Sequence, residues 1–318
     1  MARYPFNLQG DNSIQTDKAI PVSEETDEKL CKVANQEKAV LLAFIGPYRG
    51  LLISPVHVLR SEIGIDDEFG IETAIKDIKT KCPTANKLYL LVNSMGGGMS
   101  SSYKVARALR TSFADITAFV PHIAASGGTL MAVTANTIVM GLMSQLSPLD
   151  VQIEYGETSV SVNSFIRSYT RWKKQLATTL PAAISYPDKH LVDELDPIIL
   201  EEVSSIIATG MNYVEEILRL AGYKEASEIA YKLVFDPGIH SKVIHYELAK
   251  RIGLNVINEV ERVELWDTMR TWLRQYLYSP AGANFIKYVI PKQDIVEQKR
   301  EARKTAKEVT HASVKETP

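Results

Sequence analysis

The sequence predicts an α/β fold: a parallel sheet with flanking helices, followed by a mostly helical carboxyl-terminal extension. Two observations predict it. Short apolar runs rich in strand formers alternate with segments of helical periodicity between residues 37 and 140, the pattern of right-handed strand–helix–strand crossovers. Two of those runs end in glycine clusters, Asn93-Ser94-Met95-Gly96-Gly97-Gly98 and Ala124-Ala125-Ser126-Gly127-Gly128-Thr129. Strand–glycine turn–helix corners of this kind are what a parallel sheet places side by side.

Taken in order, residues 1–36 are polar and mixed, with an acidic run at Glu24-Glu25-Thr26-Asp27-Glu28, and read as an arm or short helix. Ala39 to Ile45 is a continuous apolar run closed by Gly46-Pro47, which predicts a buried strand. Leu51 to Leu59 reads as a strand or a loop. Ile71, Ala74, Ile75 and Ile78 recur at helical spacing, so Glu68 to Lys81 is an amphipathic helix that stops before Pro83. Lys87 to Asn93 is the next strand and Ser100 to Thr111 the helix after the first glycine turn. A strand over Ile116–Val120, a buried helix over Gly128–Ala135 and a strand over Thr137–Met140 complete the core.

Beyond Asp150 the pattern turns helical. Val162, Phe165, Ile166, Tyr169, Lys173, Leu176 and Leu180 share one face at a 3.6-residue period. Leu195 to Leu220 reads as a long helix broken or shifted near Gly210, and Ala226 to Leu233 as another, before a turn at Asp236-Pro237-Gly238. Tyr246 to Arg251 stops at Gly253, and Glu261 to Tyr278 carries Trp266 and Trp272, read as core or interface. The expected organisation is an arm over 1–36, one α/β domain over 37–260, a carboxyl-terminal helix over 261–291 and a charged tail over 292–318.

The chain has 318 residues, of which 45% are hydrophobic and 23% charged, with net charge -2. No basic run interleaved with aromatics suggests a nucleic-acid groove. Cys31 and Cys82 supply neither a disulfide framework nor a zinc quartet. Met1 to Asn12 lacks the apolar core of a signal peptide, so a cytoplasmic location is expected. From Ile116 to Asp150 there is no Asp, Glu, Lys or Arg until the final residue, a span long enough to cross a bilayer. Pro121, His122, Ser126, paired glycines and Asn136 interrupt it, and it is read as the buried centre of a soluble domain. No metal spacing and no dinucleotide or Walker fingerprint is present, so no cofactor is expected.

The glycine corners suggest chemistry. A serine hydroxyl is a poor nucleophile without an adjacent base, and a tetrahedral intermediate needs amide donors aimed at its oxyanion. Glycines let backbone N–H groups approach a substrate with no Cβ in the way. Ser126 is therefore the candidate nucleophile, with Gly97 and Gly127, and Gly96 as an alternative, as candidate oxyanion donors. The bland alternative is close packing, in which Ala125, Ser126, Gly127 and Gly128 merely let a helix approach a strand.

These residues resemble the ClpP/crotonase superfamily, and more narrowly the ClpP-like, SppA-like peptidases grouped as the serine dehydrogenase proteinase family. Asn93-Ser94-Met95-Gly96-Gly97 is similar to the family's Asn-Ser-Pro-Gly-Gly, and Ala124 to Thr129 matches its Ala-Ala-Ser-Gly-Gly-Thr throughout. Ser144-Gln145-Leu146-Ser147-Pro148-Leu149-Asp150-Val151-Gln152 resembles Leu-Gly-Pro-x-Asp-Pro-Gln, and His240, Ile244, Ala249 and Gly253-Leu254 resemble the family's terminal segment. The resemblance implies a ClpP/crotonase-like sheet, a serine peptidase acting through an acyl-enzyme on a peptide or protein substrate, and assembly as a homo-oligomer. Two departures stand out: Met95 replaces the usual proline, and Val151 stands where the ClpP base would be a histidine.

SppA-like relatives use a serine–lysine dyad, which turns attention to lysines beyond the core. At 100° per residue Lys173 falls within the stripe of Phe165, Ile166, Tyr169 and Leu176, whereas Lys174 and Arg167 point away. A lysine on such a stripe either snorkels to the rim or is desolvated into a usable base. Asp150 is a candidate for orienting the base, or a structural cap. His240 is a further candidate base, and His122 reads as packing at a strand end. Two other functions fit the same motifs: a catalytically silent oligomeric scaffold, and a crotonase-like acyl-CoA enzyme that uses the amides for a thioester enolate.

Overall fold

The computed structural model describes residues 24–46, 62–155, 158–179, 185–186, 189–190, 197–235, 242–277 and 284–292. The expected strand or loop at Leu51–Leu59, the turn at Asp236–Gly238, His240 and all but the first residue of the charged tail lie outside them.

Six strands make the main sheet: β1 (Val40–Ile45), β2 (Lys87–Asn93), β3 (Asp115–Val120), β5 (Thr137–Met140), β9 (Val256–Asn258) and β10 (Phe285–Val289). Their order is β10-β1-β2-β3-β5-β9. Every pairing is parallel except β1 with β10. The central strands are buried on both faces, so they read as continuous apolar runs rather than alternating ones. Side chains still alternate between two cores. Val40, Leu42, Phe44, Leu88, Leu90 and Val92 enter one, while Leu41, Ala43, Ile45, Tyr89 and Leu91 enter the other.

The first core is covered by α2 (Ile65–Lys81), through Ile71, Ala74 and Ile78, and by α3 (Met99–Ser112), through Val105, Ala106 and Leu109. The short α4 (Gly127–Ala132) is buried along its whole length. The second core is covered by α1 (Glu24–Glu37), through Leu30, Val33 and Ala34. On the same face lies a late helix, Val263–Tyr276, which buries Leu265, Trp266, Met269, Trp272 and Leu273. The tryptophans are thus core. The region expected to be one helix over 261–291 is instead a 3-10 turn at Glu259–Arg262, that helix, and the antiparallel edge strand β10. Five register pairs, from Leu41–Val289 to Ile45–Phe285, tie β10 to the sheet.

The remaining elements are α5 (Val162–Ala177), α6 (Pro197–Leu220), α7 (Ala226–Val234) and α8 (Tyr246–Ile252), which ends on left-handed Gly253. Contrary to expectation, α6 is continuous through Gly210. Two further pairs also escaped the pattern: β4 (Ile123–Ala124) with β6 (Gln145–Leu146), and the hairpin of β7 (Gln152–Tyr155) with β8 (Thr158–Ser161). The β4–β6 pair, extended by bridges Ser94–Ala124 and Leu146–Ile244, forms a small second ladder at the carboxyl ends of the main strands. Ligands of open parallel sheets bind at that end. Among the described residues no helix is long and apolar enough to cross a membrane.

Candidate active site

The two glycine corners meet at this second ladder. Ser94 N–H donates to Ile123 O at 3.0 Å and Ala125 N–H donates to Ser94 O at 2.8 Å, which zips the first corner to the second. Gly96 has φ +105°, and a Cβ there would lie 2.8 Å from Ser126 Cβ and 2.9 Å from Ala125 O. Glycine is required on both counts. One residue on, Ile63 N–H donates to Gly96 O and Gly98 N–H to Ile63 O, each at 2.9 Å. These bonds bracket Gly97 between the second corner and the Ile63 strand segment.

The amides of the corners have different fates. Gly96 N–H donates to Ser94 Oγ at 3.1 Å. Gly97 N–H and Gly127 N–H have no acceptor among the described residues. Ser126, between them, is half-buried and has φ 48° with ψ -116°. This is outside the left-handed helical basin and in territory that glycine enters freely and L-residues enter at a cost of about 1–3 kcal/mol. Its N–H donates to Ser147 Oγ at 2.7 Å, while its own Oγ makes no hydrogen bond among the described residues.

Ser126 opens onto a cavity of about 470 Å³. Gly96, Gly97, Gly127 and Asp150 line it too, so the structure brings together five of the six residues singled out from the sequence. Asp150 is buried, and Asn163 Nδ2 donates to its Oδ1 at 2.8 Å and to Val234 O at 2.6 Å. The sixth, Lys173, is exposed on α5 and does not line the cavity; nor does Lys174. Only the first turn of α5 is buried, at Val162 and Asn163, so the stripe that carries Lys173 is not sealed from water in this chain. His122 sits half-buried between β3 and β4, and burial pushes its pKa below the usual histidine value, but it is not on the cavity wall.

Sequence reasoning missed most of the apolar wall: Met95, Met99, Leu130, Leu149, Tyr213 and Val214. It also missed why Gly210 is tolerated inside α6. Gly210 lines the cavity, and a Cβ there would meet Met99 Sδ at 3.3 Å and Val151 Cγ2 at 3.4 Å. The Tyr213 ring is backed by Tyr103, stacked at 3.9 Å and 8°. The titratable side chains on the wall are Glu62, Asp150 and Tyr213; among the described residues no lysine, arginine or histidine joins them.

A hydroxyl with no hydrogen-bond partner among the described residues, at a strained turn beside backbone amides likewise unengaged among them, is an arrangement suited to acyl transfer. Comparison with known families decides the class: residues 22–303 match the model of the ClpP-like SDH-type serine proteinases. The chain belongs to that family. It is a family of serine-type peptidases.

Two uncharacterized proteins of Methanocaldococcus jannaschii are similar to this family member. One is 23% identical over 266 residues, covering 83% of this chain and 84% of the relative. The other is 27% identical over 248 residues, covering 77% and 73%. Among solved structures, the 1510-N membrane-bound stomatin-specific protease, bound to a substrate peptide, superposes with a TM-score of 0.41 and 13% identity, over 64% of this chain and 74% of that one. A monofunctional enoyl CoA isomerase from M. smegmatis gives 0.35 and 14%, over 75% and 83%.

Proposed function

We propose that this chain hydrolyses peptide bonds through an acyl-enzyme on Ser126, with Gly97 and Gly127 N–H receiving the oxyanion. One observation carries the reading: Ser126 lines the same cavity as Gly97 and Gly127, whose backbone amides have no acceptor among the described residues. Ser126 Oγ attacks the substrate carbonyl and its proton passes to a base. The carbonyl oxygen becomes the oxyanion, the amine leaves with a proton, and water then cleaves the ester. Gly96 is not one of the donors, because its amide is engaged by Ser94 Oγ.

A fluorophosphonate probe tests this directly. The wild-type chain is expected to be labelled, and Ser126→Ala to lose all labelling with an unchanged far-ultraviolet circular dichroism spectrum. Wild-type protein that stays unlabelled, under conditions that label related peptidases, refutes the reading and favours a silent scaffold.

The base is assigned by the same reading to Lys173. With no cation on the described cavity wall, a lysine base has to reach Ser126 from outside it. α5 is buried only in its first turn, and the reading requires its exposed length to bring Lys173 over its own site or a neighbour's. General bases contribute about 100- to 10,000-fold, so Lys173→Ala is expected to slow labelling by at least about 100-fold. Its melting temperature should not move, because the side chain is exposed. Lys174→Ala is expected to label normally. Unslowed labelling of Lys173→Ala removes Lys173 from the mechanism and leaves Ser126 in place.

A further inference from the structure

The backbone of Ser126 needs something to hold it. Of the described non-glycine residues, Ser126 and Lys38 alone have positive φ. The ψ of Ser126 sets the plane of the Ser126–Gly127 peptide and hence the direction of the Gly127 N–H. If Ser126 relaxed to an ordinary extended or helical conformation, that peptide would rotate, carrying both the Ser126 side chain and the Gly127 amide out of alignment.

A compact set of hydrogen bonds opposes this relaxation. Ser147 Oγ accepts the Ser126 N–H at 2.7 Å and donates its own proton to Pro148 O at 3.2 Å. Its lone pair is therefore turned to Ser126. Ser147 is itself fixed by Thr129, in the first turn of α4. Ser147 N–H donates to Thr129 Oγ1 at 3.1 Å, and Thr129 Oγ1 lies 2.8 Å from Ser147 O and 2.7 Å from Ala124 O. Both residues are buried, with Ser147 3% and Thr129 0% exposed. The hydroxyl does not line the cavity and cannot touch a substrate. In the motif this segment resembles, glycine stands at the place of Ser147, with no hydroxyl to offer.

We propose that Ser147 is a positioning residue of the peptidase site: by accepting the Ser126 N–H, its hydroxyl fixes the Ala125–Ser126 peptide while the Leu130 N–H bond to Ser126 O fixes the next one, and together they hold the strained turn that directs Ser126 Oγ and the Gly127 N–H. The proposal rests on Ser126 being the nucleophile. It accounts for a buried serine hydroxyl placed between two backbone elements that glycine alone would let approach.

The test is fluorophosphonate inactivation kinetics, resolved into the maximal rate and the half-saturating probe concentration, on wild type, Ser147→Ala, Ser147→Cys and Ser147→Thr. Losing one oxyanion donor costs at least about 100-fold in rate, so partial misalignment is expected to slow the maximal rate about 10- to 100-fold in Ser147→Ala. The half-saturating concentration should stay within about twofold, since no cavity-lining group changes. Ser147→Cys keeps the volume but offers a weak acceptor, so it should be as slow as Ser147→Ala. Ser147→Thr keeps the acceptor and should recover most of the rate. Folded Ala and Cys variants inactivated as fast as wild type overturn the positioning role while leaving Ser126 as nucleophile. A half-saturating concentration that rises while the maximal rate holds also overturns it. Unlabelled wild-type protein refutes the peptidase reading itself, and this inference with it.

Discussion

Ser126→Gly is expected to abolish probe labelling and peptide hydrolysis while folding to a protein more stable than Ser126→Ala. Removal of the hydroxyl accounts for the first result. Loss of a serine nucleophile lowers turnover on the order of a million-fold where it has been measured in hydrolases. The second result comes from the backbone. At φ 48° and ψ -116° a Cβ is crowded, and alanine retains that Cβ while glycine removes it. Relief is worth about 1–3 kcal/mol, from which the greater freedom of glycine in the unfolded chain subtracts about 0.5–1 kcal/mol. A net advantage of about 1 kcal/mol remains, which is about 2–4 °C in melting temperature for a domain of this size. The sign is the informative part, because in helices and strands glycine is the less stable of the two. A glycine variant that melts below the alanine variant would mean that the elbow stores no strain, and the account of Ser147 as its restraint would lose its footing.

How far the site could be read from the sequence depends on what kind of information each part required. The strand Lys87–Asn93 was legible residue for residue, since an apolar run bounded by a lysine and by Asn93-Ser94 has punctuation at both ends. The glycine corners were legible because the residues themselves are the signal. Which amide is available was not. Gly96, Gly97 and Gly127 are equivalent as letters, and the Ser94 hydroxyl alone distinguishes the first from the others. Lys173 illustrates the opposite limit. A helical wheel gives the side chain's angle about its own helix, but not the direction of that helix from the core, and α5 turns Lys173 to water. Gly210 was read as a break because mid-helix glycine costs about 1 kcal/mol. The helix continues, and the missing side chain contributes space to the cavity. β10 failed for a related reason, since five residues after a long amphipathic helix carry too little periodicity, and it is pairing with β1 that makes them a strand.

Gly97→Ala is expected to lower the melting temperature by about 6–20 °C and to slow labelling at least about 100-fold, whereas Gly98→Ala should change neither. The contrast follows from what each added methyl would meet. At Gly97 a Cβ would lie 2.1 Å from Ile63 N and 2.5 Å from Ile63 O. Both are main-chain atoms, so no rotamer change relieves the overlap, and the Ile63–Gly97 bridge has to open. Opening it gives up the two 2.9 Å hydrogen bonds through Ile63, at about 1 kcal/mol each. Displacement of the packed segment adds about 1–3 kcal/mol. The same displacement moves the Gly97 amide away from the oxyanion position, and loss of one such donor is what the slower labelling measures. At Gly98 the nearest atoms to a Cβ are 3.6 to 4.0 Å away, ordinary contact distances, and φ is -55°, open to any L-residue. Two adjacent glycines of one cluster therefore separate cleanly by physical role. Equal effects from both substitutions would show that the cluster works as a flexible hinge rather than as a fixed set of amides, and the oxyanion assignment would fail with it.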